Sequence, residues 1–280
     1  MRPWRTPFDG MPQRRFPIRI GAYGAPYLRI SINDRPVELM LDTGNLTGLS
    51  LSPATARRLK LPRVGEWTSY GSDGQTRGRF PVVRAERVEI LGATFTDQRC
   101  YVLDNDRIPG LIGPRYLLNR RFTVDYRAGW LAVADSAAWV APADGDALPL
   151  IPVTRLPGMI VVEGSVNERP VLVQLDTGKS RACIDPSLVA ELGLAADPRG
   201  AAIDRLTLGT RTFTIASAKI VSFAGISEGL AAPILVGVGS DVLSQFTWSV
   251  DYPAERFVLW RDARNAQKPE TPTTGTRARP

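Results

Sequence analysis

Val37-Glu38-Leu39-Met40-Leu41-Asp42-Thr43-Gly44 and Val171-Leu172-Val173-Gln174-Leu175-Asp176-Thr177-Gly178 are one passage written twice, an apolar run ending on Asp-Thr-Gly. Asn33-Asp34-Arg35-Pro36 precedes the first copy and Asn167-Glu168-Arg169-Pro170 the second. The register holds further back without a gap, Pro17 to Asn33 matching Ile151 to Asn167 in length, and the two aspartates stand 134 residues apart (176 − 42). A single such triplet reads as an ordinary turn, with Asp accepting from nearby backbone and Gly supplying positive φ. Two copies at equivalent places of an internal repeat read differently. Each copy delivers one carboxylate from the end of an apolar strand, which is how a chain brings two aspartates face to face.

The chain of 280 residues has room for one large β domain or two small lobes, each with its own core. At 44% hydrophobic and 22% charged it has the composition of a globular protein. No apolar run has the length of a membrane span, and residues 1–24 are rich in Arg and Pro, so neither a signal peptide nor a membrane anchor is expected. Cys100 and Cys183 fall at non-equivalent places of the repeat and read as free core thiols. That favours a reducing compartment, the cytoplasm; a periplasmic or secreted site stays open if a signal was removed before residue 1. There is no histidine, which excludes Ser-His-Asp and Cys-His catalysis and leaves no His/Cys cluster for zinc. No metal or organic cofactor is expected. The net charge of +7 is uneven: residues 1–140 carry 21 Lys+Arg against 13 Asp+Glu, and residues 141–280 carry 14 against 15. The arginines are scattered rather than clustered with aromatics, so a solvated basic surface is the plainer reading, and nucleic acid is not an expected partner. A basic adaptor protein is the corresponding alternative.

Short apolar runs alternate with turn residues through both halves, which predicts a mostly β chain. One short helix per half is expected, Ala54–Lys60 after Ser52-Pro53 and Ser187–Leu192 after Asp185-Pro186, each an N-cap followed by proline. The halves also end alike: Gly110-Leu111-Ile112-Gly113 matches Ile234-Leu235-Val236-Gly237, and Phe122 to Tyr126 matches Phe246 to Tyr252 with two extra residues. One stretch differs. Residues 61–92 in the first half answer to residues 194–209 in the second, and the surplus contains Tyr70-Gly71-Ser72-Asp73-Gly74-Gln75, whose Asp-Gly predicts a hairpin. The expected division is an N-terminal arm (1–14), a first lobe (15–135), a linker rich in Ala, Pro and Asp (136–148), a second lobe (149–262) and a disordered tail (263–280).

These features resemble the aspartic protease superfamily, the retropepsin and pepsin group, over nearly all of residues 15–262. Each half is similar to a bacterial retropepsin-like unit, while the fusion and the single hairpin resemble pepsin. The resemblance implies a two-lobed acid-protease fold with one flap, hydrolysis of peptide bonds, and a peptide or protein substrate with no cofactor. Asp42 and Asp176 match its catalytic pair. Thr43 and Thr177 match the threonines that bond across the two loops, with Gly44 and Gly178 turning them. Tyr70, Gly71, Ser72, Asp73 and Gly74 resemble the flap. Both carboxylates are on one chain, so a monomer suffices.

The residue after Asp-Thr-Gly departs from the family's Ser, Thr or Ala: here it is Asn45 and Lys179. Asn45 has an amide that can donate to the carboxylate as a hydroxyl would. Lys179 has three destinations: the dyad, an acidic substrate side chain in the cleft, or solvent. On the dyad, its ammonium would favour ionisation of both carboxylates and oppose the shared-proton state that catalysis needs. Two readings follow, an aspartic endopeptidase, or a catalytically weak or inactive pseudo-protease that binds peptides in the same cleft.

Overall fold

A computed structural model describes residues 14–118, 120–134 and 145–260. Residues 1–13 of the expected arm, residues 136–144 of the expected linker and the expected tail lie outside the described residues.

The repeated Asn-Asp and Asn-Glu pairs are hairpin turns. Asn33 and Asp34 have φ of 47° and 62°, and Asn167 and Glu168 have φ of 46° and 72°, the left-handed pair that a two-residue hairpin requires. Strand β2 (Pro26–Ile32) thus folds back on β3 (Arg35–Leu41), and, in the second half, β12 (Val161–Val166) on β13 (Arg169–Leu175). β3 and β13 share one burial pattern, exposed at the start and fully buried over the last three residues, so each carries its aspartate from the surface into the interior.

The first-half strands continue with β4 (Leu49–Leu51), β5 (Arg63–Tyr70), β6 (Thr76–Ile90), β7 (Ala93–Val102) and β8 (Gly110–Ile112). Counting β1 (Arg14–Ile20), their order is β1-β2-β3-β8-β4-β7-β6-β5. In the second half β14 (Cys183–Ile184), β15 (Ala196–Asp197), β16 (Gly200–Leu208), β17 (Arg211–Ile220) and β18 (Ile234–Val238) give the order β12-β13-β18-β14-β17-β16-β15. In both sheets the aspartate-bearing strand runs parallel to its neighbour, β3 beside β8 and β13 beside β18.

A third group of strands joins the halves. β9 (Arg121–Asp125) and β10 (Trp130–Ala134) from the first half meet β11 (Gly145–Pro149), β19 (Thr247–Asp251) and β20 (Arg256–Trp260) in the order β11-β20-β19-β9-β10-β1. The seam is the antiparallel pair β9 and β19, where Thr123 faces Ser249 and their hydroxyls lie 2.7 Å apart. Trp248, 1% exposed, packs edge-on to Phe122 at 5.7 Å and against Phe257, so the core runs unbroken from one half into the other.

Helix α1 (Pro53–Arg58) starts as its sequence dictates: Ser52 Oγ accepts from Thr55 N at 3.1 Å. Helix α2 (Pro186–Leu192) starts on Asp185, which accepts from Ser187 N at 2.9 Å, and Gly193 closes it at φ 58°. A Ser52→Ala variant is expected to lose about 1 kcal/mol, read as a shift in the denaturant midpoint at constant slope.

Four expectations are corrected. The second half holds two further helical turns, α3 (Ala224–Ser227) and α4 (Ser240–Leu243), so one helix per half is too few. Neither has a side-chain N-cap bond, so neither carries the start signal that exposed α1 and α2. Residues 145–148, expected in the linker, belong to strand β11 (Gly145–Pro149), paired with β20 by backbone bonds that composition does not register. Gly113 corresponds to Gly239, not Gly237: Asp42 N donates to Ile112 O and Asp176 N to Val238 O, each glycine following directly. A Cβ on Gly113 would overlap Asn45 O, and one on Gly239 would lie 2.5 Å from Lys179 O. Likewise β9 and β19 are both five residues long, so Trp248, not Phe246, answers to Phe122.

The basic surface of the first half is laced with lateral ion pairs, among them Arg19 with Glu38, Arg57 with Asp106 and Arg84 with Asp97. Exposed pairs of this kind contribute about 0–1 kcal/mol each. Cys100 and Cys183 are free and buried.

Candidate active site

Asp42 and Asp176 sit where β3 and β13 end, each held by the same three backbone contacts. Each backbone N–H donates to the neighbouring parallel strand, at Ile112 O and Val238 O. Each Oδ1 accepts from the N–H of its own loop's glycine, Gly44 or Gly178, at 2.9 Å. Each carbonyl accepts from the residue after the glycine, Asn45 or Lys179, at 3.1 Å.

The threonines lock the two loops together. Thr43 Oγ1 accepts from Thr177 N at 3.0 Å and donates to Leu175 O at 2.9 Å. Thr177 Oγ1 accepts from Thr43 N at 3.1 Å and donates to Leu41 O at 2.6 Å. Both threonines are 1% exposed. The glycines allow the approach: a Cβ on Gly44 would overlap the Asp176 carboxyl, and one on Gly178 the Asp42 carboxyl.

The two carboxyls lie within hydrogen-bonding reach of each other. Burial, reinforced by the neighbouring Asp176, pushes Asp42 well above the usual carboxylate range. Asp176, 6% exposed, is pushed up by burial, but the Lys179 ammonium, together with the hydrogen bonds from Asp42 and Gly178 N, holds it below the usual range. Lys179 Nζ donates to Asp176 Oδ2 at 2.5 Å and to Gln174 Oε1 at 2.9 Å, and lies 5.9 Å from the Phe223 ring centroid. Of its three destinations Lys179 takes the dyad. Asn45 lines the cleft, but its side chain does not reach the dyad carboxyl: its amide donates to Gly48 O at 3.3 Å, and its Oδ1 accepts from Thr47 and Ser50.

Above the aspartates lies a cleft of about 700 Å³, lined by Asp42, Asp176, Lys179 and by apolar side chains that include Leu46, Trp67, Leu111 and Met159. Its roof is the β5–β6 hairpin. Gly71 N donates to Gln75 O, Asp73 Oδ1 accepts from Gln75 N, and Gly74 turns at φ 80°. Tyr70, Gly71, Ser72 and Gly74 line the cleft; Asp73 turns away to pair with Arg77. Tyr70 is 63% exposed. The tip is fastened to the second half: Ser72 Oγ donates to Ser222 O at 2.8 Å, and Ser72 O accepts from Gly225 N at 2.9 Å. A Cβ on Gly225 would strike Gly74.

Sequence reasoning missed Gln174, Phe223, Gly225 and Trp67. Gln174 left a signal, being the polar residue inside the apolar run of β13 and 3% exposed. The others left none, because they meet the site only through tertiary contact.

Among the described residues no helix is long and apolar enough to cross a membrane, and no group of His, Cys, Asp and Glu is arranged to hold a metal. Residues 28–115 match the family model described as aspartyl protease. Comparison with curated proteins gives no match.

Proposed function

We propose that the chain, whose residues 28–115 match the aspartyl protease family model, is a single-chain aspartic endopeptidase in which Asp42 and Asp176 activate a water against a peptide bond. The observation that carries this reading is the pair of buried carboxyls, joined across the two loops by reciprocal threonine bonds. Two carboxyls this close share one proton, a general property of aspartic protease dyads. The ionised member takes a proton from the water. The protonated member donates to the scissile carbonyl oxygen, and the hydroxide attacks the carbonyl carbon to give a gem-diol. Collapse of that diol expels the amine, which takes up a proton from the dyad, and no covalent bond to the protein forms.

The β5–β6 hairpin acts as the flap, covering an extended peptide and excluding water. The apolar lining around Leu46, Trp67, Leu111 and Met159 favours hydrophobic side chains beside the cut bond. Substrate entry requires the Ser72 contacts to Ser222 and Gly225 to open.

One observation favours the second reading, a peptide-binding pseudo-protease. The Lys179 ammonium bonds to Asp176 and weakens it as a base. The two readings separate when a diverse peptide pool is incubated with the protein from acidic to neutral pH and read by mass spectrometry. Products that grow with time support the endopeptidase. Saturable binding without products supports the pseudo-protease.

A further inference from the structure

The two Asp-Thr-Gly loops are alike in backbone and unlike in charge. In the first loop Met40 and Asn45 occupy the places that Gln174 and Lys179 hold in the second. The Asn45 side chain bonds to Thr47, Gly48 and Ser50, just after it in the chain. Lys179 is received by a prepared set of partners: Asp176 Oδ2 at 2.5 Å, Gln174 Oε1 at 2.9 Å and the buried face of Phe223. Its side chain is 20% exposed and that of Asp176 9%. An ammonium so enclosed is held by geometry, and one aspartate alone receives it.

We propose that Lys179 is a positioning residue that assigns the two acid–base roles: it fixes the negative charge on Asp176, the base toward water, and leaves Asp42 as the member that donates a proton to the carbonyl. This rests on the peptidase reading and deepens it, since a pair of equivalent carboxyls has no preferred bearer of the proton. It also resolves the conflict between an ammonium and a shared proton. With Asp42 protonated, Asp176 ionised and Lys179 charged, the cluster is neutral, and a neutral peptide bond approaches it at no electrostatic cost. The other titratable groups near Lys179 are Asp42 from the facing loop and Cys183 from β14, with Lys219 and Asp241 next to Cys183; Tyr70 from the hairpin and the mutually paired Arg155 and Glu228 line the same cleft. Neither Lys219 nor Asp241 bonds to the dyad.

The sign of the pH effect follows. Activity needs one proton on the pair, so loss of the first proton, from Asp176, sets the acid limb, and loss of the second, from Asp42, sets the alkaline limb. A cation lowers both, and lowers more the carboxyl it touches. In Lys179→Met the acid limb of kcat/KM is therefore expected to move up by about one to three pH units, and the alkaline limb by clearly less, so the bell narrows. Lys179→Arg, which keeps the charge, is expected to return the acid limb toward its wild-type position.

An acid limb that stays in place in active Lys179→Met, or two limbs that move equally, would overturn the assignment. If Lys179→Met does not fold, Lys179→Gln serves in its place. A second readout does not depend on cleavage: carboxyl carbon NMR titration of aspartate-labelled protein, with Asp42 and Asp176 assigned from their Asn variants. Asp42 as the later group to ionise supports the proposal, and Asp176 as the later group refutes it. Absence of cleavage in wild type with that same order of ionisation would count against the peptidase reading alone.

Discussion

An Asp42→Asn variant is expected to lose peptide cleavage by a factor on the order of 10⁴ while its unfolding midpoint stays that of wild type. Burial and the neighbouring carboxylate favour the protonated form of Asp42, and in that form asparagine replaces one neutral group by another of the same shape. The proton for the scissile carbonyl is lost and the packing is kept. Asp176→Asn is expected to lose as much activity and, unlike its partner, also about 3 kcal/mol of stability, because it strands the enclosed Lys179 ammonium without its carboxylate. Removing the lysine as well, in Asp176→Asn/Lys179→Met, should recover the stability and none of the activity. Denaturant unfolding and initial rates on one peptide, measured for all four proteins, decide the matter. Equal stability of the two single Asn variants would mean that Lys179 does not depend on Asp176 in solution.

The second large effect belongs to Thr43→Val. Valine keeps the shape of threonine but neither accepts from Thr177 N nor donates to Leu175 O. A buried N–H and a buried carbonyl are left without that partner, each at about 1–3 kcal/mol, so a total loss of about 2–6 kcal/mol is expected. The same bonds set how the two loops face each other, so kcat/KM should fall by about 100-fold in the molecules that remain folded. Thr43→Ser retains the hydroxyl and should restore both quantities. A Thr43→Val protein of normal stability and reduced rate would show that the lock acts on alignment alone.

Much of this site was legible because it is local. The run into Asp-Thr-Gly, the Asn turn before it and the Ser52-Pro53 and Asp185-Pro186 caps each state their geometry within a few residues. What was not legible depends on where side chains arrive after folding. Lys179 had three plausible destinations, and the choice was made by Gln174 and Phe223, the second of them 44 residues further along the chain (223 − 179). Most of strand β11 has the composition of a linker, because its pairing with β20 is carried by backbone, which composition does not record. The shift from Gly237 to Gly239 arose because Val238 continues β18 beyond the apolar-apolar-Gly pattern, and only the parallel register with β13 reveals where that strand stops.

Gly225 and Ser222, which meet the hairpin tip, belong to a segment with no counterpart of similar form in the first half, where β7 passes to β8 without a helix. The roof of the cleft therefore comes from one half and its latch from the other.

Near the rotation axis of an assembly of two identical chains, every residue is present twice. A lysine on one central aspartate would bring a lysine to the other, and neither would keep a proton. With both loops on a single chain, Asn45 and Lys179 differ, so left and right at the centre of the cleft are chemically distinct. A peptide is itself a directional thread. On the peptidase reading proposed above, its two orientations across this floor would not be equivalent, and one of them would present its carbonyl oxygen to Asp42.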